Sequence, residues 1–468
     1  MQNTDNRISR LELAREKFVA HFGPGEIQVL RAPARINILG EHVDYVSYLP
    51  TASLPFGSHE HEMLMLYRPV KESRVRGLSG LAVYEPFDFP MTAEFGEGEW
   101  AAQVFNRPAP VPHWSNYIRG AIAYAQWRHP DRIVRGMDLL IESTIPPGGG
   151  SSSSSAIVVL AGAAIREANQ VDYALSDLAW ESSQAEWYLG TRGGALDHTA
   201  ICLGRRDHAL LMNHYERTSE PIPLRGEDWR WVTFFSHPAD KGREVMLEYN
   251  ERAAVSRILI PALLGEAAEI ARAIDQLPES LTLAEFERSF PERFADCRAA
   301  FPALVGARME LPLRIRDRAL HHLGEAQRVR SAVRLLRGGT ESEPNAQEQH
   351  ELTIDEVMQQ LGRLIDQSHL SLCQLYEVSN AEVDQLVDAI SRDPGLIEGR
   401  RLMGGGFGGN VLVLCHAENV ERLIAQVEEY YYAPRGRNPR AEGAIMVSTP
   451  GEGLAPLITR SRSQMSTE

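Results

Sequence analysis

The sequence has few cysteines and lacks long apolar runs. Its four cysteines have no metal-ligand spacing between them, so we expect neither a zinc knuckle nor a disulfide framework, in keeping with a reducing cytoplasm; they are Cys202, Cys297, Cys373 and Cys415. The apolar runs are shorter than a bilayer span. The first residues show no basic stretch followed by an apolar one, so we also expect no signal peptide.

Positive charge is also scarce. The chain has 48 Lys and Arg against 63 Asp and Glu, which gives a formal net charge of -15. This excess of acid argues against a general binder of nucleic acid or of anionic membranes, so we expect neither as a partner. A local basic pocket for an anionic substrate is still compatible with it. With 468 residues, 43% hydrophobic and 24% charged, the chain is long enough for two or three globular domains.

The common nucleotide-binding motifs are missing as well. No GxxxxGK[ST] segment occurs in the sequence. Gly404, Gly406 and Gly409 satisfy GxGxxG, but the apolar strand predicted at 411–414 follows them where a dinucleotide fold needs a helix. We therefore reject that fold. The glycine cluster is either a tight turn between a helix and a strand, or a strand entrance that backs a phosphate loop from a second domain.

A glycine-serine run at 147–155 is the most informative segment that is present. It leads into an apolar stretch, 156–165, that is typical of a buried helix. Glycines let a backbone turn N–H groups toward an anion, a helix N-terminus adds its dipole, and hydroxyls can ligate a magnesium ion carried by phosphates. A flexible serine linker is the alternative. Linkers rarely run straight into a buried helix, so the run favours a nucleotide-phosphate loop.

A second polar cluster directly follows an apolar strand. Glu41, His42 and Asp44 stand within four residues, and together such side chains can hydrogen-bond several hydroxyls of one small polyol. Arg35 stands just upstream, where a guanidinium can face phosphate charge. A solvated turn is the alternative interpretation.

A third cluster, 190–198, holds Asp197 on a glycine-rich turn. An aspartate so placed can accept a hydroxyl proton during phosphoryl transfer, although a helix N-cap is its commoner use. The pair Asp197-His198 lacks a third ligand at suitable spacing and is a weak metal site. Trp114 and Tyr117 share a predicted helix face and are either core residues or a platform for an adenine ring.

Hydrophobic periodicity predicts a mixture of helices and strands. We expect helices at 7–22, 114–128, from the serine run to about 169, 174–189, through much of 244–335, 354–366 and 380–391, and strands at 27–30, 36–39, 137–141, 411–414 and 444–448, with short strands in 50–105. Because strand and helix do not alternate regularly, the order favours an α+β fold over a doubly wound sheet.

Together these clusters resemble the small-molecule kinases of the GHMP superfamily (galactokinase, homoserine kinase, mevalonate kinase and phosphomevalonate kinase). Three motifs stand in the family's order, at 35–45, 146–156 and 403–409. The first is similar to the galactokinase signature GRxNxIGEHxDY. Further stretches similar to galactokinases extend the resemblance over about residues 25–450; they lie at 114–117, 249–252, 368–372 and 376–379.

The resemblance implies an α+β architecture of two GHMP kinase domains with the active site in the cleft between them. We place the N-terminal domain at 1–215 and the C-terminal domain, with the glycine motif and a polar loop at 338–352, at 216–468. The implied reaction transfers the γ-phosphoryl of ATP to the anomeric hydroxyl of a galactose-like sugar, with Mg²⁺. We expect a cytoplasmic enzyme that is a monomer or a weak homo-oligomer.

Motif matches also imply roles for single residues. Asp197 matches the catalytic aspartate and Arg35 the arginine beside the transferred phosphoryl group. The residues expected near the sugar are Glu41, His42, Asp44, Gly194 and Tyr249. Those expected at the nucleotide are Gly148, Gly149, Gly150, Ser152, Ser153, Ser154, Trp114 and Tyr117. Magnesium is assigned to Ser154 with Glu186 as its carboxylate partner.

The chain departs from the family pattern at several positions. Val46-Ser47-Tyr48 stands where a glycine usually follows the Asp-Tyr pair. Ser151 replaces a leucine, which leaves the register of the magnesium serine open by one residue, and Glu186 aligns only with a one-residue gap. His198 replaces a glutamine and Ala253 an arginine. These changes keep two alternatives open: a related sugar such as N-acetylgalactosamine, L-arabinose or galacturonate, or a non-catalytic sensor of sugar and ATP.

Overall fold

The computed structural model describes residues 2–105, 107–191, 193–238, 243–338 and 352–457, so most of the polar loop predicted at 338–352 lies outside the described residues. The α-helices are α1 Gln2–Phe22, α2 Trp100–Phe105, α3 Ser115–Arg128, α4 Ser153–Ala168, α5 Leu175–Ala185, α6 Leu196–Leu203, α7 Arg243–Ala254, α8 Ile260–Leu264, α9 Ile270–Asp275, α10 Leu283–Ser289, α11 Pro291–Ala300, α12 Pro302–Ala307, α13 Arg316–Leu336, α14 Ile354–Ser371, α15 Ala381–Ile390 and α16 Val420–Val427. Shorter 3₁₀ or π-helical turns are Glu186–Leu189, Val255–Leu259, Leu372–Tyr376, Pro394–Leu396, Ala417–Asn419, Glu428–Tyr432 and Ala433–Arg435.

The strands form two larger sheets and two small ones. They are β1 Gln28–Asn37, β2 Ala52–Ser53, β3 Pro55–Pro69, β4 Arg74–Ser79, β5 Phe87–Pro90, β6 Met137–Ser143, β7 His208–Asn213, β8 Thr218–Pro223, β9 Trp229–Phe235, β10 Ser280–Leu281, β11 Leu313–Arg314, β12 Gly399–Met403, β13 Asn410–His416, β14 Ile445–Ser448, β15 Pro450–Gly451 and β16 Ala455–Pro456. The largest sheet has the order β16-β1-β3-β6-β4-β5, with β15 beside β3, and the second has the order β12-β13-β9-β14. The expected α+β class is confirmed.

Two strand predictions are wrong in an instructive way. The strands expected at 27–30 and 36–39 are one strand, β1, because a register shift between Pro33 and Arg35 accommodates the proline. Among the short strands expected in 50–105, β3 has 15 residues. Its polar centre stays in the sheet because buried Glu62 accepts hydrogen bonds from Arg31 and Arg7.

Helix α4 lies at the centre of the largest core. Its residues 155–156 and 158–166 are all buried, so this helix is apolar on every side, which is typical of a helix enclosed by others. It contacts α3 and α5 on one side and the sheet strands β1 and β3 on the other. The helix that begins at the serine run is therefore fixed on all sides, as the apolar stretch predicted.

The chain returns to its first sheet near the end. After β14, which was expected to be the last strand, β15 pairs with β3 and β16 pairs with β1. The hairpin β7–β8 spans residue 215, so the division of the chain at that residue stays a prediction. Within the described residues, no helix is both long and apolar enough to cross a bilayer.

Candidate active site

The loop after β1 carries Glu41 in a buried position. Gly40 has a φ of +84°, and a Cβ there would lie 2.4 Å from the carbonyl oxygen of Ala52, so this turn requires glycine. The Glu41 carboxylate accepts hydrogen bonds from Arg401 and from the backbone N–H of Gly404 (3.1 Å). Burial alone would raise the pKa of Glu41, but Arg401 and Arg35 outweigh it and lower that pKa. Glu41 is therefore a charged, fixed acceptor.

His42 follows with one ring nitrogen engaged and one free. Its Nδ1 lies 3.1 Å from the Tyr45 hydroxyl, and its ring centroid is 4.8 Å from that of Tyr376. Burial lowers the pKa of His42 to about 4, so the imidazole is neutral at pH 7. Its Nε2 is buried and has no hydrogen-bond partner among the described residues. That nitrogen is available to a hydroxyl of a ligand.

Asp44 lies against the glycine-rich turn that carries Asp197. A Cβ at Gly194 would be 2.2 Å from Asp44 Oδ2, so this close approach requires glycine. Burial first, and then the charge of Asp197, raise the pKa of Asp44 to about 6. The backbone N–H of Leu196 donates to the Asp44 carboxylate. The structure thus brings the second and third polar clusters together.

Asp197 lies in the first turn of α6 and is paired with Arg35 of β1. The helix N-cap is Ala195, so Asp197 does not serve that purpose. Its Oδ1 lies 2.7 Å from Arg35 Nε and 2.6 Å from Nη2. Burial opposes the charge of Arg35, but Asp197 and Glu41 more than offset it and raise the pKa of Arg35. Arg35 Nη1 is buried and has no partner among the described residues, so it can donate to a ligand.

Tyr249 on α7 completes the group of predicted sugar residues. Its ring centroid lies 6.1 Å from that of His42. Burial, followed by the charge of Asp44, raises the pKa of the Tyr249 phenol, which therefore stays protonated and can donate a hydrogen bond. All five predicted sugar residues surround one place.

The glycine-serine loop, which is predicted to bind phosphate, precedes α4 and touches the second glycine cluster. Gly148 and Gly150 have φ values of +75° and +74°. A Cβ at Gly150 would lie 2.9 Å from the Met403 carbonyl oxygen, and one at Gly404 would lie 3.1 Å from Gly150 Cα. Asn410 Nδ2 also donates to Ser151 Oγ at 2.7 Å. The glycines at 404–409 therefore lie against the glycine-serine loop, and phosphate binding by that loop stays a prediction.

The serine hydroxyls of the loop differ in their surroundings. Ser152 Oγ is buried without a partner in the described part of the chain. Ser155 Oγ donates to Glu186 Oε2 at 3.0 Å. The serine beside Glu186 is thus Ser155, one residue beyond the assigned Ser154. The reason is the helix register: α4 begins at Ser153, and successive residues are about 100° apart around its axis.

The oxygens around Glu186 suit magnesium in chemical type. Ser155 and Glu186 supply the hydroxyl and carboxylate oxygens that Mg²⁺ prefers. His198 Nε2 lies 2.9 Å from Glu186 Oε2, and this close contact, together with the hydrogen bond from Ser155, outweighs burial and lowers the pKa of Glu186. Across the described ranges, no group of three His, Cys, Asp or Glu side chains forms a metal cage. Two protein oxygens fit an ion that takes its other ligands from phosphates and water.

The two aromatic residues proposed for adenine are partly buried. Trp114 and Tyr117 pack against the largest core at the start of α3, which contacts α4. Trp114 Nε1 donates to the Glu85 carbonyl oxygen at 2.8 Å, and its ring lies 4.8 Å from that of Phe87. Their adenine role stays a prediction.

Sequence reasoning missed several residues that fix the site. Arg401 on β12 is fully buried and holds Glu41, from 360 positions away. Tyr376 donates to or accepts from the Tyr45 hydroxyl at 2.7 Å. Arg401 lies beside Arg400 in β12, and no local pattern in the sequence marks which of the two arginines is buried.

Comparison with known proteins identifies relatives of this chain in sequence and in fold. Models of three families match: "GHMP kinases N terminal domain" at residues 116–205, "Galactokinase galactose-binding signature" at 16–52 and "GHMP kinases C terminal" at 350–433. The galactokinase of Chloroflexus aggregans is 30% identical over 447 residues, 94% of this chain and 95% of that protein. Bos taurus galactokinase is 29% identical over 426 residues, 90% of this chain and 92% of that protein.

Solved structures share the fold. Lactococcus lactis galactokinase complexed with galactose has a TM-score of 0.70 at 23% identity, covering 96% of this chain and 100% of that one. A mevalonate kinase has a TM-score of 0.52 at 12% identity, covering 91% and 99%. The fold and the two loops at the cleft define a small-molecule kinase of the GHMP type. Within that class, the chain belongs to the galactokinase family.

Proposed function

We propose that this chain transfers the γ-phosphoryl group of ATP to the anomeric hydroxyl of a galactose-like sugar, with D-galactose favoured. The observation that supports this most directly is the pair of Asp197 and Arg35, which lies beside both the sugar cluster and the phosphate loop. Arg35 also donates its backbone N–H to the Ser151 carbonyl oxygen at 3.2 Å, so one residue links the two loops.

The residues around the pair suit a positioning mechanism. A sugar hydroxyl is a poor nucleophile, so catalysis depends on alignment and on neutralising charge at the phosphoryl group. Asp197 would orient the hydroxyl and accept its proton. Arg35 Nη1, which has no described protein partner, would donate to a phosphoryl oxygen. N–H groups of the glycine-serine loop would hold the remaining phosphate oxygens.

Magnesium, when bound, would neutralise phosphate charge. We assign magnesium to Ser155 and Glu186, so Glu186 keeps its predicted role and Ser155 replaces Ser154. Their contact orients the carboxylate before a ligand arrives.

Three of the groups that we assign to sugar recognition keep one charge state near neutral pH. Glu41 accepts hydrogen bonds, neutral His42 can accept or donate through Nε2, and Tyr249 donates. The departure at 46–48 is absorbed by the fold, because Val46 is buried in a second core and the Tyr48 hydroxyl lies 2.6 Å from His322 Nδ1. This supports a neutral galactose-like ring. We also propose a cytoplasmic enzyme that is a monomer or weak homo-oligomer.

The test is coupled ADP release with ATP and magnesium against galactose, 2-deoxygalactose, N-acetylgalactosamine, L-arabinose, galacturonate and glucose. We expect turnover that is highest with galactose. Turnover confined to another sugar would replace galactose as the substrate. If no sugar gave ADP release while calorimetry still showed binding of sugar and ATP, the kinase activity would be contradicted and the non-catalytic sensor favoured.

A further inference from the structure

Arg257 lies beside the sugar cluster, although no motif contains it. It belongs to the π-helical turn Val255–Leu259 that continues α7, the helix that carries Tyr249. Its guanidinium donates to the Gly193 carbonyl oxygen at 3.4 Å and lies 5.2 Å from the centroid of the Tyr45 ring. Arg257 therefore bridges the turn of Asp197 and the loop of Asp44.

The charges of the site leave Arg257 and Asp44 without ion pairs. Glu41 pairs with Arg401, and Asp197 pairs with Arg35. Among the described residues, neither Asp44 nor Arg257 has such a pair, although the charge of Arg257 acts on both Asp44 and Tyr249. Arg257 is only partly buried, and its hydrogen bond to Gly193 uses one of its five N–H donors.

A carboxylate and a guanidinium have complementary hydrogen-bonding capacity. The carboxylate only accepts, the guanidinium only donates, and a sugar hydroxyl does both. One hydroxyl, or two neighbouring hydroxyls, can therefore donate to Asp44 while accepting from Arg257. Both bonds are charge-assisted and stronger than bonds between neutral groups.

We propose that Arg257 is a specificity-determining sugar residue that acts jointly with Asp44 on the same ring hydroxyl or vicinal pair. This assignment depends on the sugar-binding role proposed for Asp44. It predicts that the site discriminates strongly against a sugar that lacks that hydroxyl, because both charged groups would then be left without their partner.

Arg257 also affects the protonation of Asp44. Burial and the charges of Asp197 and Glu41 raise the pKa of Asp44, and Arg257 and the Leu196 N–H lower it; Arg35, Tyr45 and Tyr249 also face this carboxylate. Asp44 must be ionised to act only as an acceptor. Removing the cation therefore raises the pKa of Asp44 above its value of about 6 and moves the loss of sugar binding to higher pH.

The experiment measures sugar binding by calorimetry for wild type, Arg257→Gln and Asp44→Asn, with galactose and its 2-, 3-, 4- and 6-deoxy forms. We expect Arg257→Gln to weaken galactose binding roughly 10- to 100-fold, the size of a charge-assisted hydrogen bond. We expect the effect to disappear for one deoxy sugar, or for two neighbouring ones, and the same sugars to be insensitive to Asp44→Asn. Arg272→Gln, on an exposed arginine near Glu269, is the matched control and should bind normally.

The pH dependence supplies an independent readout. Galactose binding by wild type should weaken as pH falls through about 6. Arg257→Gln should raise the pH at which binding is lost, and Arg257→Lys should return that pH to the wild-type value. The assignment would be overturned if Arg257→Gln weakened the binding of all the sugars equally. It would also be overturned if this variant changed neither the galactose affinity nor the pH at which binding is lost. If the protein bound galactose normally but showed no turnover, only the proposed kinase activity would be contradicted. The role of Arg257 would be unaffected, because its test measures sugar binding.

Discussion

The sugar side and the phosphate side of the site differ in how their polar groups are satisfied. On the sugar side, Glu41 is held by Arg401 and Gly404, and the Tyr45 hydroxyl bridges His42 and Tyr376. The sugar side keeps one unpartnered buried nitrogen, His42 Nε2, whereas the phosphate side has two unpartnered buried atoms among the described residues, Ser152 Oγ and Arg35 Nη1. Buried donors of this kind are costly unless something binds them.

The difference indicates two ways of preparing a site. The sugar pocket is pre-organised by charges and hydrogen bonds within the protein, so its residues should affect both folding and sugar affinity. The phosphate loop keeps groups free for an anion, so its residues should affect turnover and metal dependence more than folding. Four substitutions test this contrast.

The largest effect is expected for Asp197→Asn. The amide keeps the shape of the side chain but cannot accept the hydroxyl proton, so kcat should fall by about 10²- to 10⁴-fold while the sugar Kd changes little. Coupled ADP release and calorimetry measure the two quantities. Asp131→Asn, on an exposed residue, is the control. Retained turnover in Asp197→Asn would refute the catalytic role.

Arg401→Met tests the sugar side. It leaves the buried carboxylate of Glu41 without its cation, so the free energy of unfolding should fall by about 3–5 kcal/mol. Urea denaturation measures this value, and adding Glu41→Gln should recover part of it. Arg440→Met, at an exposed pair with Glu421, should cost under about 1 kcal/mol. Equal costs for Arg401→Met and Arg440→Met would remove the contrast.

The register of the magnesium serine is tested by comparing Ser155→Ala with Ser154→Ala. Because Ser155 is the serine that contacts Glu186, its loss should raise the Mg²⁺ concentration for half-maximal activity by about 10-fold, and Ser154→Ala should do so much less. Thermal melts should show both variants folded. The opposite order would return the metal to Ser154.

The smallest effect is expected for Tyr48→Phe. It removes the hydroxyl that lies 2.6 Å from His322 Nδ1, and burial lowers the pKa of that histidine well below its usual value, so the lost hydrogen bond is between neutral groups. Unfolding in urea should show a loss of about 1 kcal/mol. Tyr215→Phe, on an exposed side chain, should show none. No loss at Tyr48 would mean that this contact does not hold the loop.

What the sequence predicted well is what lies close together in the chain. The glycine-serine run, the 41–44 cluster and the glycines around Asp197 are each contiguous, so their composition alone indicates their chemistry. The site roles of Arg401 and Arg257 were not predicted, because their partners are far away in the chain and no local pattern marks them. Which serine contacts Glu186 was not predicted for a different reason: a run of identical residues gives no sign of where α4 begins.

The same holds for the strands. Two strands were predicted at 27–30 and 36–39, yet a register shift between Pro33 and Arg35 keeps β1 continuous. Only short strands were predicted in 50–105, yet β3 has 15 residues, and arginines on other elements neutralise its buried Glu62. Local propensity was overridden in both places by partners that only the folded chain supplies.

The return of β15 and β16 to the first sheet has a mechanical consequence. The four-stranded sheet, from Trp229 to Ser448, is joined covalently at both ends, to the three-stranded sheet through β8, which precedes it, and to the large sheet through β15, which follows it. Movement of the four-stranded sheet relative to these two sheets must therefore bend two connections together. Two connections restrict this movement more than a single one would, and they help to keep Gly404, at the end of a strand of the smaller sheet, next to Gly150 of the glycine-serine loop.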